Sequence, residues 1–206
     1  MSQKVTPKIT YFNFRGLAEL PRLICKYGKI NFEDIRLNQE DWATIKPTTP
    51  FGVLPLYEED GKICNQSIAI SRYLAKRVGL YGDDDWENLE IDSVVDTITD
   101  LRLKLTQVFR EEDETKKAAD QEVLINETFP YYLERLDKIA AQNFGHMAAK
   151  KLTWADFHFA ICYGMFAFIA GEDTLIKYKN LVKVKDNVES IATIKNWMRE
   201  RPVTDF

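Results

Sequence analysis

At 206 residues, with 45% hydrophobic and 29% charged side chains, the chain has an ordinary globular composition and room for one or two domains, which excludes disordered and fibrous classes. The net charge of -4 is uneven: residues 1–80 hold 12 Lys+Arg against 8 Asp+Glu, a net of +4, which leaves -8 on the rest. That mild basic excess suits a small anionic ligand and falls short of nucleic-acid binding density. No apolar run reaches the length of a membrane span, and Met1 to Lys8 lacks the apolar core of a secretory signal. Three cysteines, Cys25, Cys64 and Cys162, form no C-x-x-C. A reduced, cytosolic protein without a disulfide framework or structural zinc site is expected.

In chain order, Ile9 to Phe12 reads as a short strand, broken by Asn13, Arg15 and Gly16. Leu20, Leu23, Ile24 and Tyr27 then keep helical spacing, with Pro21 in the first turn and Gly28 at the C-terminal cap position. Phe32 to Leu37 is a second strand, so a right-handed βαβ unit with parallel strands is predicted. An irregular stretch with Trp42, Lys46, Pro47 and Pro50 leads into a hairpin turning at Asp60-Gly61. A proline at the hairpin's entry belongs at a strand start or edge, where a cis Leu54-Pro55 bond would present the Leu54 backbone to a peptide-like ligand. Ser67 to Arg77 reads as a helix with Ile70, Tyr73, Leu74 and Val78 on one face. Gln66-Ser67 at its start is a seat for an anion, because uncapped N–H groups and the helix dipole both favour negative charge there.

From Gly79 onward the pattern is helical only. A long helix to about Phe109 carries the stripe Ile91, Val94, Val95, Ile98, Leu101, Leu105 and Val108. A second, about Ala118 to Gln142, contains Pro130 and should kink or break there. Trp154 to about Ala170 is apolar enough to run through the middle of its domain, with Thr153 and Asp156 as a capping-box-like start. Helices over about Leu181 to Val188 and Ser190 to Glu200 close the chain. Residues 1–80 therefore form an α/β domain of βαβ-ββα order, and 84–206 an all-α domain.

Tyr11, ending the first strand beside Arg15 and Gly16, is the sharpest chemical candidate, since a tyrosine hydroxyl can donate to a thiolate and lower the thiol pKa. A buried structural tyrosine is the competing reading. Cys25, inside a helix at a polar position, and Cys64, at a hairpin end, lack the helix-start setting of a catalytic thiolate. His146 and His158 lack a third ligand at helical spacing.

Taken together, Tyr11 to Glu19, Asp41-Trp42, Pro50-Phe51-Gly52, Gln66 to Leu74 and Leu152 to Phe157 resemble a sigma-class glutathione S-transferase, over essentially the whole chain. The resemblance implies a thioredoxin-like first domain, a helical second domain lining a hydrophobic pocket, a homodimer, and glutathione as cosubstrate conjugated to hydrophobic electrophiles in detoxification. It implies that Tyr11 stabilises the glutathione thiolate and that Trp42 and Lys46 hold the glycyl end. Gly52, Val53, Leu54 and Pro55 would bind glutathione, with the Leu54 backbone pairing to its cysteinyl unit beside a cis Pro55, and Gln66 and Ser67 would hold the γ-glutamyl carboxylate. Asp100 would reach the γ-glutamyl ammonium from the partner subunit. Phe12, Phe14, Arg102, Leu103 and Gln107 fall where the electrophile pocket would be. Glutathione-dependent prostaglandin D synthases, a related group, have an arginine where this chain has Leu17 and an acidic metal-binding cluster where it has Asp96, Thr99 and Asp100. No metal is therefore expected, and conjugation is favoured over prostaglandin isomerisation or peroxide reduction at the same site. A non-catalytic, crystallin-like binder is the remaining alternative.

Overall fold

The computed structural model describes residues 5–204; half of the stretch read for a signal segment, residues 1–4, lies outside them. Four strands, β1 (Lys8–Phe12), β2 (Glu33–Leu37), β3 (Leu56–Glu59) and β4 (Lys62–Asn65), form one sheet in the order β2-β1-β3-β4. β2 runs parallel to β1, while β3 and β4 are antiparallel additions, as the βαβ-ββα order requires. Asp60 and Gly61 both have positive φ, 50° and 74°, the conformation of a type I′ hairpin turn. The Leu54-Pro55 bond is cis.

Helix α1 (Glu19–Tyr27) buries seven consecutive residues, Glu19 to Cys25, and packs against α3 (Ser67–Val78). Gly28 does cap α1, but at φ -77. Space rather than backbone conformation requires glycine there, because an added Cβ would lie 2.1 Å from the Val78 side chain. Tyr73, expected on the buried face of α3, is instead 47% exposed. Its hydroxyl donates to Glu59 at 2.7 Å, and the same carboxylate accepts from Arg77. The stretch before Pro47 is not irregular: Asn38 and Asp41 form a capping box that starts a helix, α2 (Gln39–Ile45).

The remaining helices are α4 (Asp85–Arg110), α5 (Glu114–Val123), α6 (Phe129–Gln142), α7 (Trp154–Ala170), α8 (Glu172–Leu175), α9 (Lys179–Ser190) and α10 (Ala192–Glu200). By packing, one unit runs to Leu80 and resumes at Ser190, and the other is Tyr81–Glu189. The last helix, grouped by its sequence with residues 84–206, thus sits on the first unit, against α1. The break near Pro130 takes the form of a π-helical turn, Leu124–Thr128, which runs without a gap into α6 and sets Pro130 in that helix's first turn. Among the described residues no helix is long and apolar enough to cross a membrane.

In the second unit α7 packs against α4, with Trp154, Phe157, Phe159 and Phe166 inaccessible to solvent. Asp156 anchors its start. One carboxylate oxygen accepts from the Thr153 N–H at 2.8 Å and from its hydroxyl at 3.0 Å. The other accepts from the Met147 N–H, also at 3.1 Å from His146 Nδ1. Replacing a buried carboxylate with several donors strands each of them, so Asp156→Ala is expected to cost about 2–4 kcal/mol in denaturant unfolding. A loss within experimental error would show that the capping set adds nothing.

His158 is buried in the same core, with Nε2 3.0 Å from Thr99 Oγ1. Because that hydroxyl donates to the Val95 carbonyl, its oxygen is left to accept, which assigns the proton to Nε2. Burial, with Arg102 second, pushes the imidazole pKa down to about 3. The unfolded histidine binds a proton near pH 6.5 and the folded one does not. Stability must therefore fall as pH drops from about 6.5 towards 3, by up to about 1.4 kcal/mol per unit from this group. Unfolding of wild type and His158→Gln at stepped pH checks this: the wild type should lose more over that window, and parallel curves would overturn it.

Candidate functional site

The site is built at one end of the sheet by strand register. Thr10 of β1 faces Leu56 of β3, and Leu56 faces Asn65 of β4. One step past this row lie Tyr11, Pro55 and Gln66, so three segments far apart in sequence end side by side. Alternation along β1 buries Ile9 and Tyr11, and Tyr11 is 7% exposed.

The turn after β1 closes over the tyrosine. Phe14 N–H donates back to the Phe12 carbonyl at 2.8 Å. Gly16, at φ 41, passes so near that a Cβ there would lie 2.9 Å from the Tyr11 hydroxyl and 2.8 Å from its ring. Only glycine meets both the positive φ and the approach. Phe12 and Phe14, expected to border the electrophile, do flank Tyr11: their rings stack on each other at 5.8 Å, and Phe14 meets Tyr11 edge-on at 5.2 Å.

Trp42 joins the same group through an edge contact of 6.1 Å with Phe12. It is held there by α2, which ends in the turn Lys46–Thr48. The Lys46 stem then runs back over the loop, since a Cβ on Gly52 would lie 3.4 Å from Lys46 Cε. Gly52 has φ 61, and its N–H donates to Thr49 Oγ1 at 3.0 Å. Val53 is 40% exposed, and Leu54 precedes the first ladder residue of β3.

Gln66 stands at the start of α3 with φ 76 and ψ 102, a conformation that costs a non-glycine residue about 1–3 kcal/mol. No side chain caps this helix start, so the first N–H groups of α3 face outward beside Ser67. Positive field and open donors are what a carboxylate needs.

Asp100, Arg102, Leu103 and Gln107 all belong to α4, in the second unit. Asp100, Leu103 and Gln107 are exposed, and Arg102 is half-buried near His158 and Cys162. The spacing of Leu103 and Gln107 puts them on one face of the helix. Cys25, read as a polar helix position, is buried, and burial pushes its thiol up to about 12, as it does that of Cys162. Neither is a thiolate at neutral pH. Among the described residues no group of three or more His, Cys, Asp or Glu side chains could hold a metal ion.

Sequence reasoning passed over the charged residues of α1. Arg22 is fully buried; its Nε donates to Asp34 at 2.8 Å, and its Nη1 donates to the Phe14 carbonyl at 3.0 Å. Burial lowers its pKa, with Asp34 opposing. The signal was available: Glu19 and Arg22, at i and i+3, fall among the apolar positions of α1.

The comparisons with known proteins fit this geometry. Residues 7–76 match the glutathione S-transferase N-terminal domain family and 99–201 the glutathione S-transferase C-terminal domain family. A glutathione S-transferase of Anopheles gambiae is 42% identical over 96% of this chain and 98% of its own. The hematopoietic prostaglandin D synthase of Gallus gallus is 39% identical over 96% and 97%. The solved structure of prostaglandin synthase D of Nilaparvata lugens superposes with a TM-score of 0.91 at 42% identity, covering 97% of this chain and all of that one. A thioredoxin-like sheet domain, a helical partner domain and full-length similarity to named transferases converge on one statement: the chain belongs to the glutathione S-transferase family and is a glutathione transferase.

Proposed function

We propose that this transferase is of the sigma class and works in the cytoplasm in detoxification, with Tyr11 donating its hydroxyl hydrogen bond to the glutathione sulfur. The row that sets Tyr11, Pro55 and Gln66 side by side is the observation that carries this reading. A cysteinyl thiol with an ordinary pKa near 8.5 is only about 3% thiolate at pH 7. Lowering that pKa by about two units, for about 3 kcal/mol of hydrogen bonding and field, makes about three-quarters of it thiolate.

The other assignments follow the family resemblance, and the chemistry at each position suits them. The Leu54 backbone pairs with the cysteinyl unit, Gly52 and Val53 border it, and Lys46 with Trp42 holds the glycyl carboxylate. Gln66 and Ser67, at the open start of α3, take the γ-glutamyl carboxylate. Asp100 supplies the acid for the γ-glutamyl ammonium across a homodimer, each protomer completing the other's site. Phe12 and Phe14 offer the electrophile an apolar surface beside the sulfur. The catalytic gain is a larger thiolate fraction together with two reactants held at short range.

Conjugation of a chromogenic aryl halide tests the assignment. Tyr11→Phe should lower kcat/KM about a hundredfold, about 2.7 kcal/mol, and return the bound thiol pKa towards its free value, with glutathione affinity little changed. An unchanged rate and thiol pKa would remove Tyr11 from the role. Ser67→Ala should instead raise KM for glutathione about tenfold with kcat nearly constant; a loss confined to kcat would sink the anion-seat assignment.

Glutathione-dependent isomerisation of a prostaglandin endoperoxide at the same site is the second reading, favoured by the prostaglandin D synthases among the relatives. Leu17 in place of the sulfur-side arginine weighs against it. Product analysis with that substrate decides between the two.

A further inference from the structure

The buried charges of α1 link the turn over Tyr11 to the far end of the chain. Glu19 is 1% exposed. Its Oε1 accepts from Trp197 Nε1 at 2.9 Å and from Arg201 Nη1 at 2.6 Å, across 178 and 182 positions of sequence. Its Oε2 lies 3.5 Å from Arg22 Nη1. That same nitrogen donates to the Phe14 carbonyl at 3.0 Å and the Arg15 carbonyl at 3.4 Å. Those two residues lead into Gly16, where an added Cβ would lie 2.9 Å from the Tyr11 hydroxyl. Trp197 is itself wedged, with the Phe32 ring edge-on at 6.4 Å and the Lys26 ammonium 4.6 Å over its ring. A continuous set of contacts therefore runs from residues 197–201, through Glu19 and Arg22, to the backbone beside the hydroxyl.

We propose that the C-terminal segment is a latch for the tyrosine turn: Trp197 and Arg201 fix Glu19, Glu19 fixes Arg22, and Arg22 holds the Phe14 and Arg15 carbonyls so that Gly16 stays packed on Tyr11. These are positioning residues, because none of them touches the sulfur site directly. A buried carboxylate is stable only when its charge is met by donors. Deprived of Arg201, Glu19 turns its charge on Arg22 and draws Nη1 away from the two carbonyls. Unpaired carbonyls then seek water, the turn opens, and the hydroxyl loses the wall that aims it. Mobility arises at the one turn where a small displacement alters the sulfur's hydrogen bond, which a general loss of stability would not single out.

The latch bears on catalysis only if Tyr11 acts on the sulfur, so it rests on that reading, and the two are tested by separate measurements. Full-length Arg201→Gln and Arg201→Lys are compared with wild type, and Trp197→Phe stands in if Arg201→Gln does not fold. Amide hydrogen exchange of ligand-free protein reads the turn; thiolate ultraviolet absorbance reads the pKa of bound glutathione. In Arg201→Gln, exchange at residues 13–18 should quicken about fivefold or more while the β3-β4 hairpin is unchanged. The thiol pKa should rise by about half a unit to one unit and kcat fall about three- to tenfold, with the glutathione Kd within about twofold; Arg201→Lys should restore most of each. Unchanged exchange at 13–18, or faster exchange throughout the chain with the thiol pKa unmoved, overturns the latch. A wild type that leaves the thiol pKa at its free value overturns the role of Tyr11 instead, and the exchange data still decide whether the turn is latched.

Discussion

The pairing of β1 with β3 sets everything at the Tyr11 end of the sheet. Thr10 against Leu56 against Asn65 is a row of backbone hydrogen bonds, and the residues one step beyond it inherit their places from the register alone. Side chains alternate along a strand, so a slip of one residue would turn Tyr11 from the buried face to the opposite one. Ile9, on the same face and 1% exposed, makes such a slip costly: moving one large aliphatic side chain into water forfeits about 1.5–3 kcal/mol. The core thus guards the position of a residue whose own work is polar.

Register places the tyrosine but leaves the turn after it undetermined, and there backbone carbonyls need donors. Arg22 supplies them from beneath, at the expense of burying a guanidinium, and Asp34 and Glu19 meet its charge. Asp34 also receives Arg36 Nε at 2.9 Å, and Arg36 stands opposite Tyr11 in the parallel pairing of β1 and β2. Sheet and turn are therefore tied by one set of ions rather than by packing alone. Buried pairs of this kind add little net stability over an apolar core but specify geometry strongly, because removing one member leaves another uncompensated.

What could be read from the sequence follows how local each signal is. The short strand β1, the Asp60-Gly61 turn, the α4 stripe and the Thr153 to Asp156 start are written within a few residues, and each appears as expected save Val108, which the stripe included and which is only half-buried. Helix α2 escaped because it buries no residue: with no apolar stripe, only the Asn38 and Asp41 capping pair marked it, just ahead of Pro47 and Pro50. Cys25 was misplaced since α1 is covered by α3 on one side and α10 on another, so its buried arc is wider than its apolar residues suggest. The pairing of Glu19 with Arg201 spans 182 positions, and no local pattern encodes it. Among site residues, Tyr11, Gln66 and Ser67 stood out by strand end and helix start, whereas the roles of Trp42, Lys46 and Asp100 came from resemblance.

The buried thiols of Cys25 and Cys162 are pushed up to about 12. In a glutathione transferase the reactive sulfur arrives with the tripeptide, and on the role proposed for Tyr11 the protein's part is to hold it and shift its proton equilibrium. That division explains why the sequence is so specific about backbone geometry here: glycines at 16 and 52 and a glutamine at 66 with positive φ. A thiolate is soft, large and only modestly stabilised by one hydroxyl, about 1.5–3 kcal/mol for a hydrogen bond to a charged group. A two-unit shift needs nearly all of that, so a hydroxyl free to wander would forfeit the effect. On the role proposed for Tyr11, rigidity of the turn over it serves catalysis as much as structure.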